Sequence, residues 1–167
     1  DTFDGRVPQQ SYNIRTDAPY FDLNNLSHTG RVGGYVEAQI KPFKSFFTIA
    51  GLRTDYHTLS KKTVADPRLS IGWKFAKNNI VRGAVGIYHQ FPNLEYYAQS
   101  ENFSLKPEEA AHYILGYEYN LDDGLFLFRV EGYYKDYRDL VIRDQNSFLY
   151  TSGGKGIAKG VDVFIKS

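Results

Sequence analysis

Tyr88, His89 and Gln90 close one alternating run of this chain, and Phe91-Pro92-Asn93-Leu94-Glu95-Tyr96-Tyr97 follows at once. Phenol rings and an amide so placed can stack on and hydrogen-bond an incoming small molecule. Tyr88, Gln90, Tyr96 and Tyr97 are therefore the candidate substrate-binding residues. The plainer reading of the same residues is an interfacial aromatic belt with ordinary loop packing. Other constellations carry less. Gly153-Gly154-Lys155-Gly156 has the composition of a phosphate loop, but no Ser or Thr follows the Lys and the earlier Gly is missing. His28, His57, His89 and His112 show no ligand spacing, although His57 and His89 both fall near loops. His57 and Ser60 are neighbours without an oxyanion hole, and Arg129 with Glu131 reads as a same-face wall pair rather than a dyad. There is no Cys, hence no thiolate nucleophile and no disulfide framework. The sequence therefore points to binding and away from an enzyme, a resident metal or a cofactor.

The elements that must hold these residues are strands. In Ala110–Asp139, residues Tyr113, Leu115, Tyr117, Tyr119 and Leu121 share one parity, and Phe126, Phe128, Val130, Gly132 and Tyr134 share one beyond the turn Leu121-Asp122-Asp123-Gly124. His112, Gly116, Glu118 and Asn120, then Arg129, Glu131, Tyr133, Lys135 and Tyr137, take the other. Side chains alternate faces along a strand, so this is a ribbon with one aromatic, apolar face and one charged face. Each arm runs to roughly 10 residues or more, enough to cross a tilted bilayer. The same alternation predicts strands at about Arg31–Lys41, Ser45–His57, Pro67–Phe75, Ile80–Phe91 and Ile157–Lys166. Residues 1–30, polar and broken by Pro8 and Pro19, read as a long loop. Pro107 could open a helix at Glu108, but the run that follows favours a strand entry.

The connections are predicted to alternate in length. Pro42–Lys44, Ala76–Asn79 and Asp122–Gly124 are short, whereas Thr58–Asp66, Pro92–Glu109 and Leu140–Gly156 are longer, with Leu140–Tyr150 extending the hairpin outward. Tight turns at one end of a sheet and loops at the other are the habit of outer-membrane barrels. A sandwich distributes its loops over both ends. The fold class expected is all-β: an antiparallel up-and-down meander of about seven long strands, part of a large transmembrane β-barrel and incomplete in itself. A soluble β-sandwich serving as an adhesin or carbohydrate-binding module is the alternative, and a non-gated porin a third. The discriminating group is Val81, Val85, Ile87, Leu115, Phe126, Phe128 and Val130, which a barrel places in one outward belt and a sandwich buries.

Composition agrees. Among 167 residues, 20 basic side chains balance 19 acidic ones, which gives no electrostatic footprint for nucleic acid. Fourteen Tyr and 12 Phe suit strands and interfacial belts. No apolar run reaches the length of a membrane helix. With no Met, a start at Asp1 and a last strand cut at Ser167, the chain reads as an excised piece.

Several short patterns, in order, resemble the barrel of TonB-dependent outer-membrane receptors. They are Gly51-Leu52-Arg53-Thr54-Asp55-Tyr56 after a Pro turn, Asp66-Pro67-Arg68-Leu69-Ser70, and Gly86-Ile87-Tyr88-His89-Gln90-Phe91-Pro92. Leu105-Lys106-Pro107-Glu108-Glu109-Ala110 leads into the hairpin, Val130-Glu131-Gly132-Tyr133-Tyr134-Lys135 forms its second arm, and Gly154-Lys155-Gly156-Ile157-Ala158-Lys159-Gly160-Val161-Asp162 closes the series. The resemblance implies an extracellular loop region over 1–30 and a partial, middle-to-late barrel over 31–167. It implies an importer of a scarce nutrient (ferric siderophore, corrinoid or similar) in the outer membrane of a Gram-negative bacterium. The partners implied are membrane lipid, the ligand, a plug domain with the remaining strands of a barrel of about 22, and TonB acting through that plug.

Overall fold

The computed structural model describes residues 6–8, 20–22, 29–97, 104–121, 125–145 and 149–167. Most of the loop region expected over 1–30, and residues 122–124 of the expected hairpin turn, lie outside them. Two short strands, β1 (Arg6–Pro8) and β2 (Tyr20–Asp22), pair antiparallel. All other strands belong to one sheet. These are β3 (Arg31–Phe43), β4 (Phe46–His57), β5 (Lys62–Ala76), β6 (Asn79–Gln90), β7 (Glu108–Leu121), β8 (Phe126–Arg143) and β9 (Tyr150–Lys166). Each pairs antiparallel with its sequence neighbour, in the order β3-β4-β5-β6-β7-β8-β9.

Register converts each strand's alternation into two continuous faces. Ile71, Gly83, Leu115, Gly132 and Val161 form one row across five strands. One residue along, Gly72, Arg82, Gly116, Glu131 and Asp162 form a row on the opposite face. The first face is apolar except toward the loop end, where Glu109, Asp136, Arg138 and Lys159 share it, and it is uncovered: Val36 is 66% exposed, Leu115 66% and Val161 68%. None of Val81, Val85, Ile87, Leu115, Phe126, Phe128 and Val130 is buried, and the register puts all seven on that face. Among the described residues no second sheet covers it, so the sandwich expectation is not met.

The polar face is built flat. Gly33, Gly51, Gly72, Gly116 and Gly160 stand directly opposite Asp55, Arg68, Phe47, Glu131 and Tyr133. Each of those larger side chains lies over its glycine, where a Cβ would meet it. The tightest is Gly72, whose missing side chain leaves the space that the Phe47 ring occupies. A large residue laid across a glycine restores packing that the glycine alone would forfeit.

Two boundaries differ from the sequence reading. β5 begins at Lys62, so the loop expected over Thr58–Asp66 shrinks to 58–61, with Lys61 at φ 51° in the turn. β9 begins at Tyr150 and takes in the glycine-rich Thr151–Gly156 that was expected to be loop. Pairing against Val141–Arg143 of β8 decides this, because backbone groups that find partners stay in the ladder whatever their side chains. Register shifts lie between Tyr137 and Leu140 and between Leu140 and Val141, with Asp139 at φ 53°. Aspartate is among the few residues that tolerate that conformation, and β-bulges accommodate such extra residues. At Glu108 β7 starts directly as a strand, as the alternating run after Pro107 favours.

Candidate functional site

The loop end of the sheet is where buried residues gather. Val64, Phe91, Tyr97 and Leu105 are buried there, with Pro92 beside them. After β6 the chain makes a 3-10 turn, Leu94–Tyr97, opened by a Tyr96 N–H donating to the Asn93 carbonyl at 3.0 Å. His57 is the hub beneath it. Its ring stacks on Phe91 at 4.8 Å and lies tilted against Tyr97 at 5.8 Å, while its two nitrogens meet Thr29 Oγ1 at 2.8 Å and Ser60 Oγ at 3.0 Å. Arg31 sets its guanidinium 5.5 Å from the Phe91 ring centre. The returning chain is pinned as well: Lys62 Nζ donates to the carbonyls of Ser104 and Leu105, both at 2.9 Å.

The four candidate ligand residues separate in this setting. Tyr88 and Gln90 are exposed at the end of β6. Tyr88 leans over Gly86 and packs against His112 at 4.6 Å. His112 in turn meets Tyr137 edge-on at 6.5 Å, giving an aromatic strip on the polar face. Tyr96 packs on Tyr150 at 4.7 Å, which ties the turn to β9. Tyr97 is 2% exposed, and burial pushes its phenol pKa up. The structure thus joins Tyr88 to His112 and Tyr137, sets Tyr96 on a separate contact, and buries Tyr97. His112 and Tyr137 were not singled out in the sequence. Both have the parity of the charged face, but only cross-strand register brings them beside Tyr88.

Charge on the polar face is organised as carboxylates between arginines. Asp55, 1% exposed, accepts from Arg31 Nε at 3.0 Å and from Arg53 Nε at 2.6 Å. Glu118, 5% exposed, accepts from Arg82 at 3.2 Å and from Arg129 at 2.9 Å. Arg129 therefore pairs across the strands with Glu118, and not with Glu131, which covers Gly116. Arg68 meets Glu37 at 3.4 Å. At the lip, His89 lies between Asp66 at 2.6 Å and Glu109 at 3.4 Å. Each of the first two sites sums to one excess positive charge, and the arginines keep about two-fifths to one half of their surface exposed. Among the described residues no group of three or more His, Cys, Asp or Glu could hold a metal. No described helix is long and apolar enough to cross a membrane, which says nothing of strands.

A single-layer antiparallel meander with one apolar and one charged face, turns at one end and a buried cap at the other, is an arc of a barrel wall. The family described as TonB dependent receptor-like, beta-barrel matches residues 1–166, and the chain belongs to that family. No curated protein matches the sequence. Solved structures share the fold. The siderophore receptor PirA from Pseudomonas aeruginosa is 19% identical with a TM-score of 0.72, over 82% of this chain and 28% of that one. The ferric enterobactin receptor PfeA from the same organism, in complex with enterobactin, is 16% identical with a TM-score of 0.71, over 81% and 24%. The alcaligin outer membrane receptor FauA from Bordetella pertussis is 14% identical with a TM-score of 0.67, over 82% and 27%. This chain thus spans about a quarter of the length of the receptors it matches.

Proposed function

We propose that the chain is part of the wall of an active importer in the outer membrane of a Gram-negative bacterium, taking up a ferric siderophore, a corrinoid or a similar scarce nutrient. The observation that carries this reading is the division of faces across all seven strands, on a chain of this family. The apolar face meets lipid. The polar face lines a wet lumen, where the exposed sides of its arginines contact a plug domain, and TonB acts through that plug. Its neighbours in fold include receptors described as binding siderophores, enterobactin and alcaligin among them, which favours an iron chelate over a corrinoid.

The ligand vestibule lies at the loop end. Tyr88 and Gln90 offer an exposed ring and amide toward the lumen, Tyr96 carries the turn above them, and Tyr97 anchors that turn from below. The test uses the full-length receptor. Replacing Tyr88, Gln90, Tyr96 and Tyr97 together by Ala should weaken binding of its ferric siderophore at least about tenfold, the scale of one or two lost aromatic or hydrogen-bonded contacts. Equilibrium binding of a panel comprising ferric enterobactin, ferric alcaligin and a corrinoid finds the ligand first. Unchanged affinity in the quadruple variant would remove these residues from the vestibule, and failure of every chelate and corrinoid to bind would remove the importer reading.

A further inference from the structure

Glycines opposite large side chains on the polar face are covered, but Gly34, Gly83 and Gly132 on the apolar face are open. Gly83 and Gly132 stand on either side of Leu115 in one row. A Cβ at either would find nothing nearer than a backbone carbonyl oxygen at 4.0 Å. The two notches open a groove of about 760 Å³ on the apolar face, walled by Leu69, Val85 and Leu115. Its rim carries the polar groups. Tyr113 and Tyr134 stand directly opposite each other across β7 and β8, their rings tilted by 47° with centres 6.3 Å apart. Lys159, exposed and directly opposite Tyr134 on β9, borders the same groove. Lys159 makes no ion pair among the described residues, whereas Arg138, the next cation along that face, is held by Asp136 at 2.8 Å.

An apolar trough ending in two phenols and one unneutralised ammonium is complementary to a chain with an anion at its head. We propose that this groove binds one anionic phospholipid, with an acyl chain laid over the Gly83 and Gly132 notches, the phosphate on Lys159 Nζ, and the Tyr113 and Tyr134 hydroxyls donating to the headgroup. The inference rests on the lipid-facing reading of the apolar face. It goes beyond that reading because a merely interfacial lysine reaches to water and selects no lipid. Charge-assisted contact to phosphate in low dielectric makes the difference between holding one lipid and being bathed by many.

Native mass spectrometry of the detergent-solubilised full-length receptor, titrated with phosphatidylglycerol or phosphatidylcholine, tests it. One phosphatidylglycerol should be retained roughly tenfold more tightly than phosphatidylcholine, and Lys159→Ala should abolish that preference, as expected for loss of one charge-assisted contact. Filling the notches with Gly83→Val and Gly132→Val, both acceptable in strands, should release both lipids; Gly83→Ala with Gly132→Ala is the milder form. Equal retention by wild type and Lys159→Ala, or undiminished retention with filled notches, overturns the proposal. The underlying reading is checked separately by quenching with lipids brominated along the acyl chain, as the signal lost on Trp73→Phe, since Trp73 lies on the apolar face and is 53% exposed. Absence of quenching sinks the lipid-facing reading itself. Quenching without selective retention sinks only the groove.

Discussion

Glu118 shows how little a single charge on this wall can be spared. Its carboxylate is 5% exposed and stands between Arg82 and Arg129, which are each about two-fifths exposed. Glu118→Gln keeps the shape and removes the charge, leaving two guanidinium groups facing one amide. Breaking a fully buried pair costs about 3–5 kcal/mol, but partial solvation of both arginines reduces the expected loss to about 1–2 kcal/mol. The urea midpoint of the full-length receptor refolded in vesicles should fall accordingly, and an unmoved midpoint would show the carboxylate to be an ordinary surface acceptor. Glycine positions give a second contrast. Gly72→Ala thrusts a methyl into the Phe47 ring, while Gly83→Ala meets only open space. The first should destabilise by about 1–3 kcal/mol, as overpacking does, and the second should be near neutral. Adding Phe47→Ala to Gly72→Ala should remove the clash in a double-mutant cycle; strict additivity would sink that account.

At the scale of elements, the loop-end cap is a local unit on a ladder that does not need it. Phe91 and Tyr97 pack on His57, and Lys62 holds the carbonyls of Ser104 and Leu105. Tyr97→Ala removes a buried ring from a small cluster, so the turn Leu94–Tyr97 should loosen while β6 and β7 stay paired. Limited proteolysis should then cut within 91–97 in the variant and spare those residues in the wild type; equal resistance would mean that the pins from Lys62 suffice. Much of the strand pattern was legible because alternation is local. Leu69, Ile71, Trp73 and Phe75 oppose Arg68, Ser70, Gly72 and Lys74 in sequence and in structure alike. What misled was composition at strand ends. Asp66-Pro67 and the glycine-rich Thr151–Gly156 carry residues that disfavour strands, yet partners across the ladder hold them in strand. The site was legible only in part for the same reason. The exposure of Tyr88 and Gln90 follows from their place at a strand end, but the burial of Tyr97 depends on His57, forty residues away. The strip Tyr88–His112–Tyr137 likewise exists only once β6, β7 and β8 are in register.

At the scale of the whole molecule, the sheet has too little interior to be its own reason for folding. Four buried hydrophobic side chains cap one end, and the long apolar face is bare among the described residues. In water such a face would drive association, whereas a bilayer satisfies it without a second protein layer. Adjacent residues of β5 separate the two environments. Ile71 lies on the apolar face and is 37% exposed, and Ser70 beside it projects to the polar face. Ile71→Arg should cost about 2–4 kcal/mol in a bilayer, the penalty of arginine near the middle of a barrel's lipid-facing band. Ser70→Arg enters a face already built from arginines and should change stability by less than about 1 kcal/mol. Both are read from urea unfolding of the full-length receptor in vesicles, scored by the mobility shift of folded barrel on unheated gels. The asymmetry is the prediction. Equal losses would mean that lipid and lumen do not divide along the parity of β5, and a larger loss for Ser70→Arg would invert the assignment of the faces.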